Sequence, residues 1–138
     1  MAPEWAFVAL GSNLGDRNAS LELARERLAA LRGTMVAAAS SVEETEPLGA
    51  VPQGAYLNQM VLLRTELEPR ELLDACLTIE RDAGRERGER WGPRVLDLDI
   101  VRYGDRDVRE PGLTIPHPEL PNRSFWLREL AELESYVE

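Results

Sequence analysis

The sequence predicts an α+β fold of the ferredoxin-like kind, an antiparallel β-sheet with helices packed on one face. Three observations predict it. Apolar patterning runs strand, helix, strand, strand, helix, strand, and then a tail. The two helical stretches each carry apolar residues at helical spacing, so each has one face to bury. The last strand, Leu96-Asp97-Leu98-Asp99-Ile100-Val101, alternates strictly, as a strand with one buried and one open face does.

Taken in order, residues 5–10 form a near-continuous apolar run that ends at Gly11 and reads as a buried central strand. Gly11-Ser12-Asn13-Leu14-Gly15-Asp16 is a turn-rich loop and only a weak match to a phosphate cradle. Asp16 or Asn18 caps the first helix, whose Leu21, Ala24, Leu28 and Leu31 share a face and which Gly33 ends. Residues 34–42 are small and β-branched, a second strand. Residues 43–54 hold too many Pro and Gly for regular structure, and a loop of this length in a small domain is commonly functional. Residues 56–67 form a long strand antiparallel to the one before. Pro69 opens a second helix at its first turn, and Leu72, Leu73, Cys76, Leu77 and Ile79 make its apolar face to about Ala83. After the Asp strand, residues 103–108 read as a hairpin turn and 113–118 as a short extended piece. Ser124 caps a last helix that runs to about Leu133.

Composition bounds the function. A chain of 138 residues is one domain, 1–138, long enough to bury a core. Its net charge of −9 argues against a general nucleic-acid binder. A lone cysteine, Cys76, excludes an intrachain disulfide and fits a reducing cytosol. No basic region precedes the first apolar run, and no run approaches a membrane span, so the expectation is a cytoplasmic protein without a membrane partner. Every cationic side chain is Arg and none is Lys. That excludes a P-loop, a Schiff-base lysine and a kinase-type strand lysine.

The chemistry concentrates in Arg90-Trp91-Gly92-Pro93-Arg94 and the alternating strand after it. Asp97 and Asp99 share a face and repel one another unless a cation lies between them, and hard oxygen ligands suit Mg²⁺. Arginines and an aromatic beside a metal site point to a polyphosphate substrate. Arg85, Arg87 and Arg90 lie in residues 84–93, a segment with almost no aliphatic anchor, which reads as a lid that closes over an anion. His117, the one histidine, stands between two prolines that pin its backbone, which makes it a ligand candidate beside a phosphate site.

Set out in order, Ala9-Leu10-Gly11-Ser12-Asn13-Leu14-Gly15-Asp16-Arg17, Thr45, Pro47-Leu48-Gly49 and Tyr56-Leu57-Asn58 come first. Arg90-Trp91-Gly92-Pro93-Arg94, Leu96-Asp97-Leu98-Asp99-Ile100, Pro116-His117-Pro118 and Asn122-Arg123-Ser124-Phe125 follow. On these residues the chain resembles the 6-hydroxymethyl-7,8-dihydropterin pyrophosphokinases of folate biosynthesis over nearly its whole length. The resemblance implies transfer of pyrophosphate from ATP to the pterin hydroxymethyl group, with release of AMP. It implies Asp97 and Asp99 as ligands of two Mg²⁺ ions, with Arg85 and Arg94 approaching the phosphates as further catalytic groups. It implies Glu80, Arg87, Trp91, Ile100, Thr114, His117 and Arg123 around ATP. For the pterin it implies a sandwich between Tyr56 and Phe125, with its edge read by Asn58 and the backbone of Thr45 and Leu48. Glu46 stands where the family often has Pro, and the arginine segment is a residue shorter between Arg87 and Trp91 than in the enterobacterial form. A ferredoxin-like regulatory module that binds a small ligand without chemistry is the alternative; it accounts for the fold and leaves the Asp pair and the arginines without a role. A metal-dependent nuclease is disfavoured by the acidity and the lack of a basic groove.

Overall fold

The central strand β1 (Glu4–Ser12) organises the molecule. The computed structural model describes residues 2–46, 53–84 and 95–137. β1 is followed by α1 (Arg17–Ala29), β2 (Thr34–Ala39), β3 (Glu43–Thr45), β4 (Tyr56–Thr65), α2 (Pro69–Asp82) and β5 (Asp97–Tyr103). A small hairpin of β6 (Val108–Glu110) and β7 (Leu113–Ile115), a 3₁₀ turn at Leu120–Asn122, and α3 (Ser124–Glu134) complete it. The main sheet runs β2-β4-β1-β5, with β3 also on β4, and its pairings are antiparallel. Two sequence-adjacent strands are thus separated by a third, as the expected β-α-β-β-α-β plan requires.

Local chemistry starts and stops the helices where expected. The Asp16 carboxylate accepts from the Ala19 amide at 3.0 Å and satisfies one free donor of the first turn of α1. Pro69 fits the first turn of α2, where its missing N–H costs nothing, and Glu71 reaches back to the Glu68 amide at 2.8 Å. Gly33, with φ +59, turns the chain from α1 into β2.

Alternation along the strands makes two apolar layers. Ala6, Val8 and Leu10 of β1 join Leu98 and Ile100 of β5 under Leu21, Leu28, Leu72 and Ile79 of α1 and α2. Phe7 and Ala9, with Met60, Leu62 and Val101, face the other way and meet Trp126, Leu130 and Leu133 of α3. The two helices of the β-α-β-β-α-β unit therefore share one face, as expected. The tail helix packs on the opposite face, so the face that carries the Asp pair is only partly open.

Three local expectations need correction. Residues 43–54 are not wholly irregular: Glu43–Thr45 is a strand paired with Tyr56–Asn58. Backbone pairing and contacts from α3 override the poor β propensity of two glutamates. Residues 103–108 do not turn a hairpin back on β5. Gly104 adopts φ +52 and donates to the Trp5 carbonyl at 2.7 Å, which sends β6 off to pair with β7. Ser124 is the first helical residue of α3 and the cap position is Arg123, without a side-chain bond. Cys76 lies on the buried face of α2, and burial drives its thiol well above the ordinary range, which favours the neutral form. Among the described residues no helix is long and apolar enough to cross a membrane.

Candidate active site

Strand register brings distant residues into two rows on the α3 face. Gly11 pairs with Asn58 on one side and Asp97 on the other; Ala9 pairs with Met60 and Asp99. Tyr56, two residues before Asn58, points to the same face. A Cβ built on Gly11 would meet Asn58 Oδ1 at 3.3 Å and Tyr56 Cδ1 at 3.4 Å. The small residues Gly11 and Ala9 therefore leave a trough, with Tyr56 and Asn58 on one bank and Asp97 and Asp99 on the other. α3 covers the far half of this face and leaves the trough end open.

One bank is built by β3 and the loop after β1. Asn58 is buried and donates from Nδ2 to Thr45 Oγ1. Asn13 donates to Gln53 Oε1 at 2.6 Å and to the Gly54 carbonyl at 3.1 Å, and Arg17 donates to the Ala55 carbonyl at 2.9 Å. The loop at 11–16 is thus spent on holding residues 53–55 at the start of β4.

The other bank is the edge strand β5. Both carboxylates are half-buried. The amide between them, Leu98 N, donates to Glu80 Oε2 at 2.7 Å, and Glu80 is itself buried on α2. Glu80 thus reaches the strand from behind and fixes the peptide that carries the Asp pair. His117 Nδ1 accepts from the Glu119 amide at 3.1 Å, so the proton of the neutral imidazole lies on Nε2, 3.6 Å from Asp99 Oδ1. The His117 ring packs edge-on against Trp126 at 4.9 Å, and the Arg123 guanidinium lies over the same indole at 4.3 Å. Phe125 stands next to it, with its ring centroid 6.3 Å from that of Trp126.

Asp99, Ile100, Thr114 and His117 meet around a cleft of about 240 Å³, closed on its apolar side by Leu73, Leu98 and Leu113. Of the candidates, Thr45, Tyr56 and Asn58 gather on one bank, Asp97 and Asp99 on the other, and Ile100, Thr114 and His117 at the cleft beyond. Glu80 supports the strand, and Arg123 and Phe125 flank Trp126. Arg85, Arg87, Trp91, Arg94 and Leu48 lie outside the described residues, as does the expected lid beyond Gly84. Sequence reasoning did not assign Gly11 and Ala9 to the site. Their signal was small size on a strand face that begins with the large residues Trp5 and Phe7.

The profile of the family described as 7,8-dihydro-6-hydroxymethylpterin-pyrophosphokinase (HPPK) matches residues 7–135. A 2-amino-4-hydroxy-6-hydroxymethyldihydropteridine pyrophosphokinase of Methylorubrum extorquens is 44% identical over 128 residues, covering 93% of this chain and 81% of the relative. One of the same name from Bacillus subtilis is 41% identical over 133 residues, covering 96% and 80%. A third, from Haemophilus influenzae, is 41% identical over 130 residues, covering 94% and 81%. With a family profile spanning nearly all of it and relatives this similar over most of their length, the chain belongs to the 7,8-dihydro-6-hydroxymethylpterin-pyrophosphokinase family.

Proposed function

We propose that this chain transfers pyrophosphate from ATP to the hydroxymethyl group of 6-hydroxymethyl-7,8-dihydropterin, releasing AMP, with the trough across β4, β1 and β5 as its reaction site. The carrying observation is the register. A flat, hydrogen-bonding bank of Tyr56, Asn58 and Thr45 lies across two small residues from a carboxylate bank. A planar pterin suits the first bank and a triphosphate with its counter-ions the second.

The donor set fits Mg²⁺. Asp97 and Asp99 offer hard oxygens on one face, and among the described residues no cluster of three or more His, Cys, Asp and Glu is placed to hold a metal. Mg²⁺ commonly takes one or two carboxylates and fills its shell with water and substrate phosphate oxygens. In this reading Asp97 and Asp99 hold two Mg²⁺ ions. When bound, such ions neutralise phosphate charge and make the attacking alcohol more acidic. The protein's own groups do the positioning. Glu80 keeps the Asp peptide in place, Tyr56 and Phe125 hold the pterin plane, and Asn58 reads its edge. Ile100, Thr114, His117 and Arg123 line the nucleotide end, and the chain's Arg85, Arg87, Trp91 and Arg94 supply cations and an aromatic to the phosphates and nucleotide.

Incubation with ATP, Mg²⁺ and the hydroxymethyl dihydropterin tests the reading: AMP and the pterin diphosphate should appear together in equal amounts. Binding of both ligands without AMP would instead support the non-catalytic module. Tyr56→Ala should weaken pterin binding about fivefold or more, since a stacked aromatic contributes on the order of 1 kcal/mol. Its ATP affinity and melting temperature should stay near wild type. Equal loss for both ligands with a lowered melting temperature would make Tyr56 a packing residue.

A further inference from the structure

β3 is only three residues long and pairs on one side, with Tyr56–Asn58. So short a strand needs support, and α3 supplies it. Arg128 donates from Nε and Nη2 to Glu43 Oε1 at 3.0 and 2.9 Å. Glu132 Oε1 accepts from the amide and the hydroxyl of Ser41, both at 2.9 Å. Between these ties sits Glu129, with 1% of its surface exposed. No donor among the described residues reaches either of its carboxyl oxygens, nor the buried Glu43 Oε2. Arg128 cannot relieve them, because its guanidinium is engaged with Glu43 Oε1.

Three buried carboxyl oxygens without a donor are untenable as two facing anions. One proton resolves the arrangement. We propose that Glu43 and Glu129 hold a single proton between them, and that this acid–carboxylate pair seats β3, and with it Thr45, on α3. Glu129 O–H then donates to the Glu43 carboxylate, and Arg128 supplies the counter-charge from the other side. Glu129 is pushed up to about 9 by burial first and then by the adjoining Glu43 carboxyl. Against the pull of its own burial, Glu43 is held below the ordinary carboxylate range by hydrogen bonds from Glu129 and Arg128. The other charged group about Glu129 is Glu132, already taken by Ser41. The strands under α3 present Phe7, Ala9, Met60, Leu62 and Val101 to the shared apolar layer, none of which titrates.

These are positioning residues. Glu43 pairs with Asn58 across β3 and β4, and Thr45 accepts the Asn58 bond, so loosening β3 disturbs the bank assigned above to the pterin. That consequence rests on the functional reading; the shared proton does not. The folded state keeps a proton that the unfolded chain releases. Stability from the Glu129 proton is therefore fully present below the ordinary glutamate range and declines as pH rises toward about 9, whereas that from the Glu43 carboxylate is present above that range and is lost as pH falls through its lowered value, so the pair is strongest between the two.

The test measures melting temperature against pH for wild type and Glu129→Gln, whose amide replaces the O–H donor permanently. Wild type should lose several degrees relative to Glu129→Gln as pH rises from the ordinary glutamate range toward about 9, and the difference should level off above it. The infrared band of a protonated carboxylic acid should be present in wild type near neutral pH, vanish at strongly alkaline pH, and be absent from Glu129→Gln. Pterin affinity should fall severalfold at alkaline pH in wild type and not in the variant. The absence of the neutral-pH band in wild type would overturn the shared proton, even where a variant fails to fold. A band with unchanged alkaline pterin affinity would overturn the positioning role. An inactive protein that still shows the band and the pH slope would count against the functional reading alone.

Discussion

Asp97→Ala and Asp99→Ala should each lower turnover on the order of a hundredfold to a thousandfold, the scale seen when a group that stabilises developing charge is removed. The fold should survive. Both carboxylates are half-exposed on the edge strand β5, while the aliphatic residues between and around them, Leu96, Leu98 and Ile100, are buried on the other face. The substitutions delete charge and leave core packing intact. They also relieve repulsion between two neighbouring anions, so without Mg²⁺ the melting temperature should hold or rise slightly. Asp97→Ala leaves His117 its carboxylate neighbour, Asp99, whereas Asp99→Ala removes it. The second variant should therefore disturb the nucleotide end as well, with ATP affinity falling further than in the first. Steady-state turnover, Mg²⁺ dependence and ATP titration on both variants check this. Near-normal turnover in both would remove the carboxylates from the reaction.

The Asp pair shows how far one dimension reaches. Its alternation, and the burial of Leu98 and Ile100 beneath it, follow from a period of two and needed no knowledge of neighbours. What stands across from it did not follow. That Gly11 lies between Asn58 and Asp97 depends on the registers of β1 with β4 and with β5, set by packing between residues tens of positions apart. β3 was hidden for a related reason. Its Glu43 and Glu44 favour no strand locally, and the strand exists because β4 offers a backbone to pair with and Arg128 a counter-charge. The turn after β5 misled because Gly104 reads the same in sequence whichever way it turns the chain. The helix caps at Asp16 and Pro69 were legible because capping is local. Glu80 was assigned to the nucleotide by resemblance, but its bond to the Leu98 amide depends on how α2 packs against β5, which local sequence does not encode.

Gly11→Val should weaken pterin binding by about tenfold to a hundredfold, within the scale of the roughly 1–3 kcal/mol that overpacking costs in a filled space. The backbone offers no objection. Gly11 is not among the glycines with positive φ, and valine suits a strand. The obstacle is space on one face. The added Cβ would stand 3.3 Å from Asn58 Oδ1 and 3.4 Å from Tyr56 Cδ1, closer than most such contacts, and the two methyl groups would project beyond it into the trough. The pterin plane assigned to that space would lose its floor, and Asn58 would be displaced from its bond to Thr45. On the proposed reading ATP lies at the other bank and at the cleft past Asp99, away from the Asn58 and Tyr56 side that the valine would crowd, so its affinity should stay within about twofold. Gly11→Ala should fall between, because a single methyl asks its neighbours to yield only a few tenths of an ångström. Separate titrations with pterin and with an ATP analogue, alongside melting curves, distinguish the cases. A folded Gly11→Val protein with unchanged pterin affinity would place the pterin elsewhere. Loss of both ligands with a lowered melting temperature would make Gly11 a residue of the fold and not of the site.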